Sequence, residues 1–504
     1  MDDLRAQRLF GGASVAPGDL ATSPYRADRD RIVASPFFAR LAGVTQVISP
    51  GGSGLLVHNR LTHSLKVASV ARGIVERLSA DPDQRALLDK LGGCDADVVE
   101  AAALAHDLGH PPFGHLGEHV LDRLARERLG LPDGFEGNAQ SYRIVTSTQV
   151  RGAAIGLDLT AAVRAALLKY PWTRRTYPDP HPMRLSPTPR GAGGDPAVGS
   201  SKFGAYVTEV ADVRQARAPF AGRIADWQQT VEASVMDTAD DIAYAIHDLE
   251  DFHRVGVLQQ GPVATELVAW QRDAAQLRAL GDAELRTTAR HPGRSVEQLR
   301  RTLQRKDGWI CDDDAFAAAV EHVRNELADG LLAAPFDGSI EAEQAVARFS
   351  ARWTRRLIDA VYVRADPPVR SGHVLLGRAQ WHEVQVLKFI HHRFVLERPD
   401  LALHQRGQAR LVASLVEALH AWLTDPGEEA RLPRRLHDLV ELADAEARTL
   451  SAADYGLESL DVPAMARGRA IVDFVAALTD GQAVGLLEAL SGRSRQLWTD
   501  AFVL

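Results

Sequence analysis

Cysteine is almost absent from this chain. Only Cys94 and Cys311 occur in 504 residues, far apart. That excludes a disulfide framework and a cysteine-based zinc site, and it fits a reducing cytosol. No apolar run approaches the ~18–20 residues that span a bilayer. The start, Met1-Asp2-Asp3, is acidic and lacks a signal-peptide pattern, so a cytoplasmic protein is expected. Lysine is scarce: Lys66, Lys90, Lys169, Lys202, Lys306 and Lys388 are the whole set, and most cations are arginine. The formal net charge is -8, so the chain is not a generic nucleic-acid coat, and any polyanion must meet a local basic site. Alternating strand patterns are nearly missing, and no repeat of fixed period is visible.

What remains is helical. Residues 62–78 place Leu65, Val67, Ala68, Ala71, Ile74, Val75 and Leu78 on an apolar face. Residues 97–109 do the same with Val98, Val99, Ala102, Leu104 and Ala105, and Pro111-Pro112 stops them. Further helices are expected at about 117–128, 226–252, within 263–335, and at 340–363, 375–397, 407–424, 431–449 and 463–490. The expected fold class is all-α, with room for one short β-hairpin near 45–58. Three regions are expected: a catalytic core over 30–257, a helical insertion of unassigned role over 258–345, and a C-terminal helical region over 346–504 packed on the core. Residues 176–201, rich in Pro, Gly and Ser, read as a long loop of the kind that forms lids.

The chemistry concentrates around His106-Asp107-Leu108-Gly109-His110-Pro111-Pro112-Phe113-Gly114-His115. An isolated His-Asp pair carries little information. Here His106, His110, His115 and His119 fall within fourteen residues, with Asp107 and Glu118 among them. Imidazole nitrogen beside carboxylate oxygen suits Mn²⁺, Fe²⁺, Mg²⁺ or Zn²⁺. His63 and Asp240 are candidates to complete a set of two His and two Asp, leaving positions for water and phosphate oxygens. His110 lies four residues after His106 and is expected to face the same pocket, where it contacts substrate. His115 and Glu118 are three apart, a spacing at which a carboxylate orients an imidazole for general-acid work. Over 235–251, Val235, Ala239, Ile242, Ala243, Ile246 and Leu249 form an apolar face, while Asp240, Tyr244 and Asp248 make a polar stripe at intervals of four. An aromatic ring between two carboxylates fits a sugar-binding wall.

Several segments together resemble the HD-superfamily deoxynucleoside triphosphate triphosphohydrolases, the dGTPase family. They are Thr45-Gln46-Val47, Asn59-Arg60-Leu61-Thr62-His63-Ser64, His106 to Glu118, Phe135-Glu136-Gly137-Asn138-Ala139-Gln140-Ser141, Lys169-Tyr170-Pro171, Lys202-Phe203-Gly204, Asp240 to Asp251 and Asp473-Phe474-Val475-Ala476-Ala477-Leu478-Thr479-Asp480. They occur in the family's order over roughly 30–255 and 465–485. The resemblance implies an HD-domain helical core, metal ligands at His63, His106, Asp107 and Asp240, and a catalytic His115 paired with Glu118. It implies Tyr244 and Asp248 as sugar readers, Gln46 at the base or sugar edge, Arg60, Lys169 and Lys202 on phosphates, and Asn138 and Gln140 in the pocket. The implied reaction converts a dNTP, with dGTP favoured and other dNTPs possible, to a deoxynucleoside and inorganic triphosphate. The implied cofactor is Mn²⁺ or Mg²⁺, with Fe²⁺, Co²⁺ or Zn²⁺ as alternatives. Self-association as a hexamer or tetramer and a nucleotide or single-stranded DNA effector are implied too. Two competing readings are another HD phosphohydrolase, acting on a 5′-nucleotide, a cyclic nucleotide or (p)ppGpp, and a nucleotide-sensing regulator with a vestigial site.

Overall fold

A computed structural model describes residues 2–10, 23–47, 57–151, 154–288, 290–494 and 497–498. The protein is all-α. Among the described residues its strands form two two-stranded antiparallel hairpins, Val150–Arg151 with Ala154–Ile155 and Val361–Val363 with Val374–Leu376. The hairpin expected near 45–58 falls largely on residues 48–56, outside the described ones. An isolated antiparallel bridge joins Thr45 to Asn59 on either side of them.

The long central helices are Arg60–Ala80 and Val231–Arg254. Each is started by a side chain that satisfies a free backbone N–H. Asn59 and Thr62 form a reciprocal capping box, and Thr230 caps the second helix. Ala96–Ala105, capped by Asp95, packs between them and Pro24–Val33. Its buried face is alanine and valine apart from Leu104, mostly small enough for close helix approach. Leu65, expected on the apolar face of its helix, is 48% exposed, so that face is narrower than its sequence pattern.

The Ala96–Ala105 helix ends four residues earlier than expected. His106 to Gly114 instead form successive tight turns, with His110 N–H bonded to Asp107 O and Gly114 N–H to Pro111 O. The reason is packing: Gly109 sits against the Gly137–Arg143 helix so closely that a Cβ would lie 2.2 Å from Ser141 N and 2.3 Å from Gly137 O. A continued helix cannot make that approach. His110 is therefore not one helical turn beyond His106, yet the turns still bring its Nδ1 to 2.9 Å from Asp107 Oδ1.

The hydrophobic core parts in a different place from the sequence boundaries at 257/258 and 345/346. Apolar residues of 263–332 and 346–395 merge with the central helices in one cluster. A second cluster joins the His115–Glu127 helix to Pro399–Leu423, Arg434–Ala447, Val462–Ala476 and Asp480–Leu490. The short Val361–Val363 and Val374–Leu376 strands lie where helix ends were expected; their β-branched and aliphatic side chains suit a paired, buried edge. No described helix is long and apolar enough to cross a membrane.

Candidate active site

Three elements bring the expected ligands together. His63 comes from the first turn of Arg60–Ala80, His106 from the end of Ala96–Ala105, and Asp240 from the middle of Val231–Arg254. His63 Nε2 is 3.2 Å from Asp240 Oδ1, and His106 Nε2 is 3.9 Å from the same oxygen. One ligand atom from each residue lies within 4.8 Å of the other two. His106 Nδ1 is 2.7 Å from Ala103 O, so that nitrogen carries the proton and Nε2 keeps its lone pair toward the cluster. Asp107 stands at the edge: its Oδ1 is 3.4 Å from His106 Nε2.

The two carboxylates share one design. Arg60 Nη1 holds Asp107 Oδ2 at 2.9 Å, and Lys169 Nζ holds Asp240 Oδ2 at 3.0 Å. In both residues Oδ1 is the oxygen turned to the imidazoles. Burial alone would push both carboxyls up. Arg60 with His106 and His110 outweighs it at Asp107, and Lys169 with His63 and His106 at Asp240, so both lie well below the usual carboxylate range. Anionic oxygens and a lone-pair nitrogen at such spacing fit a divalent cation, with His63, His106 and Asp240 as its nearest holders and Asp107 beside them.

His115 and Glu118 form a second, separate unit. His115 Nδ1 is 3.0 Å from Glu118 Oε2, and the imidazole is 65% exposed while Glu118 is buried. Lys202 Nζ bridges Glu118 Oε1 at 2.5 Å and Glu136 Oε1 at 3.0 Å. Burial opposes the Glu118 charge, but Lys202 and His115 hold that carboxyl well below its ordinary range. The His110 ring meets His115 edge-on, centroids 5.0 Å apart, and His110 Nδ1 lies 2.9 Å from Asp107 Oδ1. Burial and Arg60 push His110 down to about 4, so it is neutral at physiological pH. His110 thus sits between the two units.

The remaining expected residues divide. Tyr244 and Asp248 follow Asp240 on the same stripe; burial and the Asp251 charge push the Asp248 carboxyl well above the usual range. Gln46 Oε1 and the Nε and Nη2 of Arg60 are buried without a protein hydrogen bond, as polar atoms awaiting a ligand would be. Lys169 already reaches Asp237 and Asp240, so no closure of 176–201 is needed to bring it in. Lys202 is committed to the two glutamates. Gln140 is fully buried, donating to Asp473 Oδ1 and accepting from Tyr206 Oη. Asn138 Nδ2 donates to Glu136, whose other oxygen caps the Gly137–Arg143 helix. The structure therefore gives Gln140 and Asn138 framework partners instead of a place at the ligands. The 176–201 segment is tied down by Ser200 N–H to Arg174 O, Ser201 N–H to Gly193 O and Arg190 to Asp241.

Several positioning residues were not singled out from the sequence. Asp480 accepts from the Thr45 N–H, the Thr45 hydroxyl and the Phe113 N–H, joining the Gln46 segment to the His106–His115 turns. Arg40 donates to the carbonyls of Leu108, His110 and Leu478, each at 2.8 Å. Ser141 Oγ accepts from Gly109 N–H and donates to His106 O. Asp480 and Ser141 lay inside segments already noted; Arg40 carried no signal. A cavity of about 140 Å³ lies on the neighbouring face of the Val231–Arg254 helix, lined by Asp237, Asp241, Arg190, Arg370 and Trp309. It is not at the ligand cluster, whose own space is spanned by ion pairs.

Residues 60–170 match the HD domain family. Over 482 residues the chain is 33% identical to a deoxyguanosinetriphosphate triphosphohydrolase-like protein of Streptomyces coelicolor, covering 93% of this chain and 92% of that one. A protein of the same description from Corynebacterium efficiens is 30% identical over 486 residues, covering 94% and 92%. Another from Aliivibrio fischeri is 27% identical over 493 residues, covering 93% of each.

Proposed function

From the premise that the chain belongs to the HD-domain family of deoxyguanosinetriphosphate triphosphohydrolase-like proteins, we propose that it hydrolyses a deoxynucleoside triphosphate, dGTP foremost, to the deoxynucleoside and inorganic triphosphate. The observation that carries the reading is the pairing of two units: a divalent-cation set at His63, His106 and Asp240, with Asp107 beside it, and a carboxylate-braced imidazole at His115. A binding module has no use for the second.

A divalent ion, Mn²⁺ or Mg²⁺ in this proposal, supplies Lewis acidity to the α-phosphate and lowers the pKa of water when bound. The chain does the rest. Arg60 neutralises charge at the α-phosphate through its uncommitted nitrogens, and Lys169 adds a second cation nearby. Water attacks the α-phosphorus, the bond to the 5′-oxygen breaks, the deoxynucleoside leaves, and triphosphate retains the water oxygen. Glu118 accepts from Nδ1–H and stabilises the doubly protonated ring of His115, the form in which Nε2–H can give its proton to the 5′-oxygen. Tyr244 crowds a ribose 2′-hydroxyl, Asp248 takes the 3′-hydroxyl, and Gln46 meets the nucleoside edge. Lys202 acts through Glu118 instead of on phosphate. Self-association and a nucleotide or single-stranded DNA effector belong to the same proposal.

The test is product analysis with each dNTP and Mn²⁺. Intact triphosphate and free deoxynucleoside are expected. Pyrophosphate with dNMP, or stepwise orthophosphate, would refute the mechanism and favour another HD phosphohydrolase chemistry.

A further inference from the structure

The sugar wall is held by a residue far outside the HD match. His391 ends the Arg378–His391 helix and is almost fully buried. Its Nδ1 is 2.6 Å from Tyr244 Oη, and the two rings meet edge-on with centroids 5.1 Å apart. Its Nε2 lies 3.6 Å from Asp248 Oδ2, and neither of those two atoms has a protein hydrogen bond. Phe252, on the same helix as Tyr244 and Asp248, packs against the imidazole with centroids 5.5 Å apart. One turn earlier on the His391 helix, Lys388 pairs with Asp241 at 2.6 Å and lies 5.9 Å over the Tyr244 ring.

This arrangement accommodates one imidazole tautomer with a partner at each nitrogen. The Tyr244 hydroxyl has its proton, because burial and the neighbouring carboxylates push the phenol far up. When it donates to His391 Nδ1, the imidazole proton sits on Nε2, facing Asp248. Tyr244 is only part-buried at that hydrogen bond, and without an acceptor its ring is free to take another rotamer. A mobile ring is a poor wall, because it yields to a bulkier sugar.

We propose that His391 is a specificity-determining positioning residue: by accepting from Tyr244 Oη and standing over Asp248 Oδ2 it holds both sugar-reading side chains in the geometry that admits a 2′-deoxyribose and refuses a ribose. The inference rests on the dNTP reading above and adds to it the source of sugar selectivity. His391 touches no reacting atom; it acts through Tyr244 and Asp248.

The experiment compares kcat and KM for dGTP and GTP in the parent, His391→Leu and His391→Asn, with metal content measured on each. Leucine keeps bulk and removes the acceptor. Asparagine can present an oxygen where Nδ1 stood. In His391→Leu the ratio of dGTP to GTP kcat/KM is expected to fall about tenfold, the equivalent of one hydrogen bond, mainly through a lower GTP KM. Metal content is expected to match the parent, and His391→Asn is expected to restore most of the ratio. A parent-like ratio in His391→Leu, or an equal loss in both variants, overturns the proposal. If His391→Leu does not fold, a parent-level ratio in a folded His391→Phe variant, which also lacks the acceptor, overturns it as well. A parent that leaves every dNTP intact would instead sink the dNTP reading itself.

Discussion

Adding one methyl group at Gly109 tests whether the ligand turn depends on close backbone packing. In Gly109→Ala the new Cβ would lie 2.2 Å from Ser141 N, 2.3 Å from Gly137 O and 2.6 Å from the Gln140 carbonyl carbon. All three are backbone atoms, so no side chain can swing away. Relief requires the Gly137–Arg143 helix and the His106–His110 turns to part by roughly 1 Å, since carbon contacts are optimal near 3.5–4.0 Å. Overpacking of this kind costs about 1–3 kcal/mol. Parting also strains the Ser141 Oγ bridge between Gly109 N–H and His106 O, two hydrogen bonds worth about 1 kcal/mol each. The expected loss is therefore about 3–5 kcal/mol, with weakened metal binding because His106 is displaced. Urea unfolding with and without Mn²⁺, plus calorimetric titration of the ion, measures both. Gly485→Ala is the control: its Cβ meets nothing within 4 Å, in the interior of a helix. It should stabilise by about 0.5–1 kcal/mol. Gly109→Ala with parent stability and parent metal affinity would refute the packing argument.

The other expectations are shorter. His115→Ala should lower kcat by about 10²–10⁴-fold with metal content intact; loss of metal would make His115 a ligand instead. Arg40→Met leaves the carbonyls of Leu108, His110 and Leu478 without their donor. It should destabilise by about 3 kcal/mol or more and weaken metal binding, and parent-like values in both assays would count against the positioning role. Two buried imidazoles make stability fall in acid. Burial and His392 push His391 down to about 3, and burial with Lys66 pushes His247 down to about 2, from an ordinary 6.5. Below pH 6.5 the unfolded chain takes protons that the folded one refuses, so stability falls as pH drops from 6.5 toward 3. His247→Leu should flatten that fall, measured as urea midpoints across the pH range; an unchanged slope would contradict it.

The helices were largely readable before the structure because burial imposes a 3.6-residue period, and the central ones begin at Asn59, Asp95 and Thr230, residues that cap. The errors came where tertiary contact overrides local pattern. The run through His106-Asp107-Leu108-Gly109 looks helical, yet Gly109 is pressed against another helix and the chain turns. Leu65 fits an apolar stripe but faces outward. Asn138 and Gln140 were readable as polar residues near the site, but not that Glu136, Asp473 and Tyr206 occupy their hydrogen bonds. The lysines were readable as cations that matter; that Lys202 serves Glu118 and Lys169 serves Asp240 was not.

By itself the sequence determined the helical class and named the candidate ligands and the candidate His115–Glu118 pair, because those depend on periodicity and on residue types at short spacing. His115 and Glu118 are neighbours on any helix. Tertiary structure alone decided what braces them. Asp480 reaches Thr45 across 435 residues, Gln140 reaches Asp473 across 333, and Tyr244 reaches His391 across 147. Such contacts have no period and no local signature. They exist only because two hydrophobic clusters bring distant helices against the ligand turn, and a buried donor or acceptor there must find whichever group packing delivers.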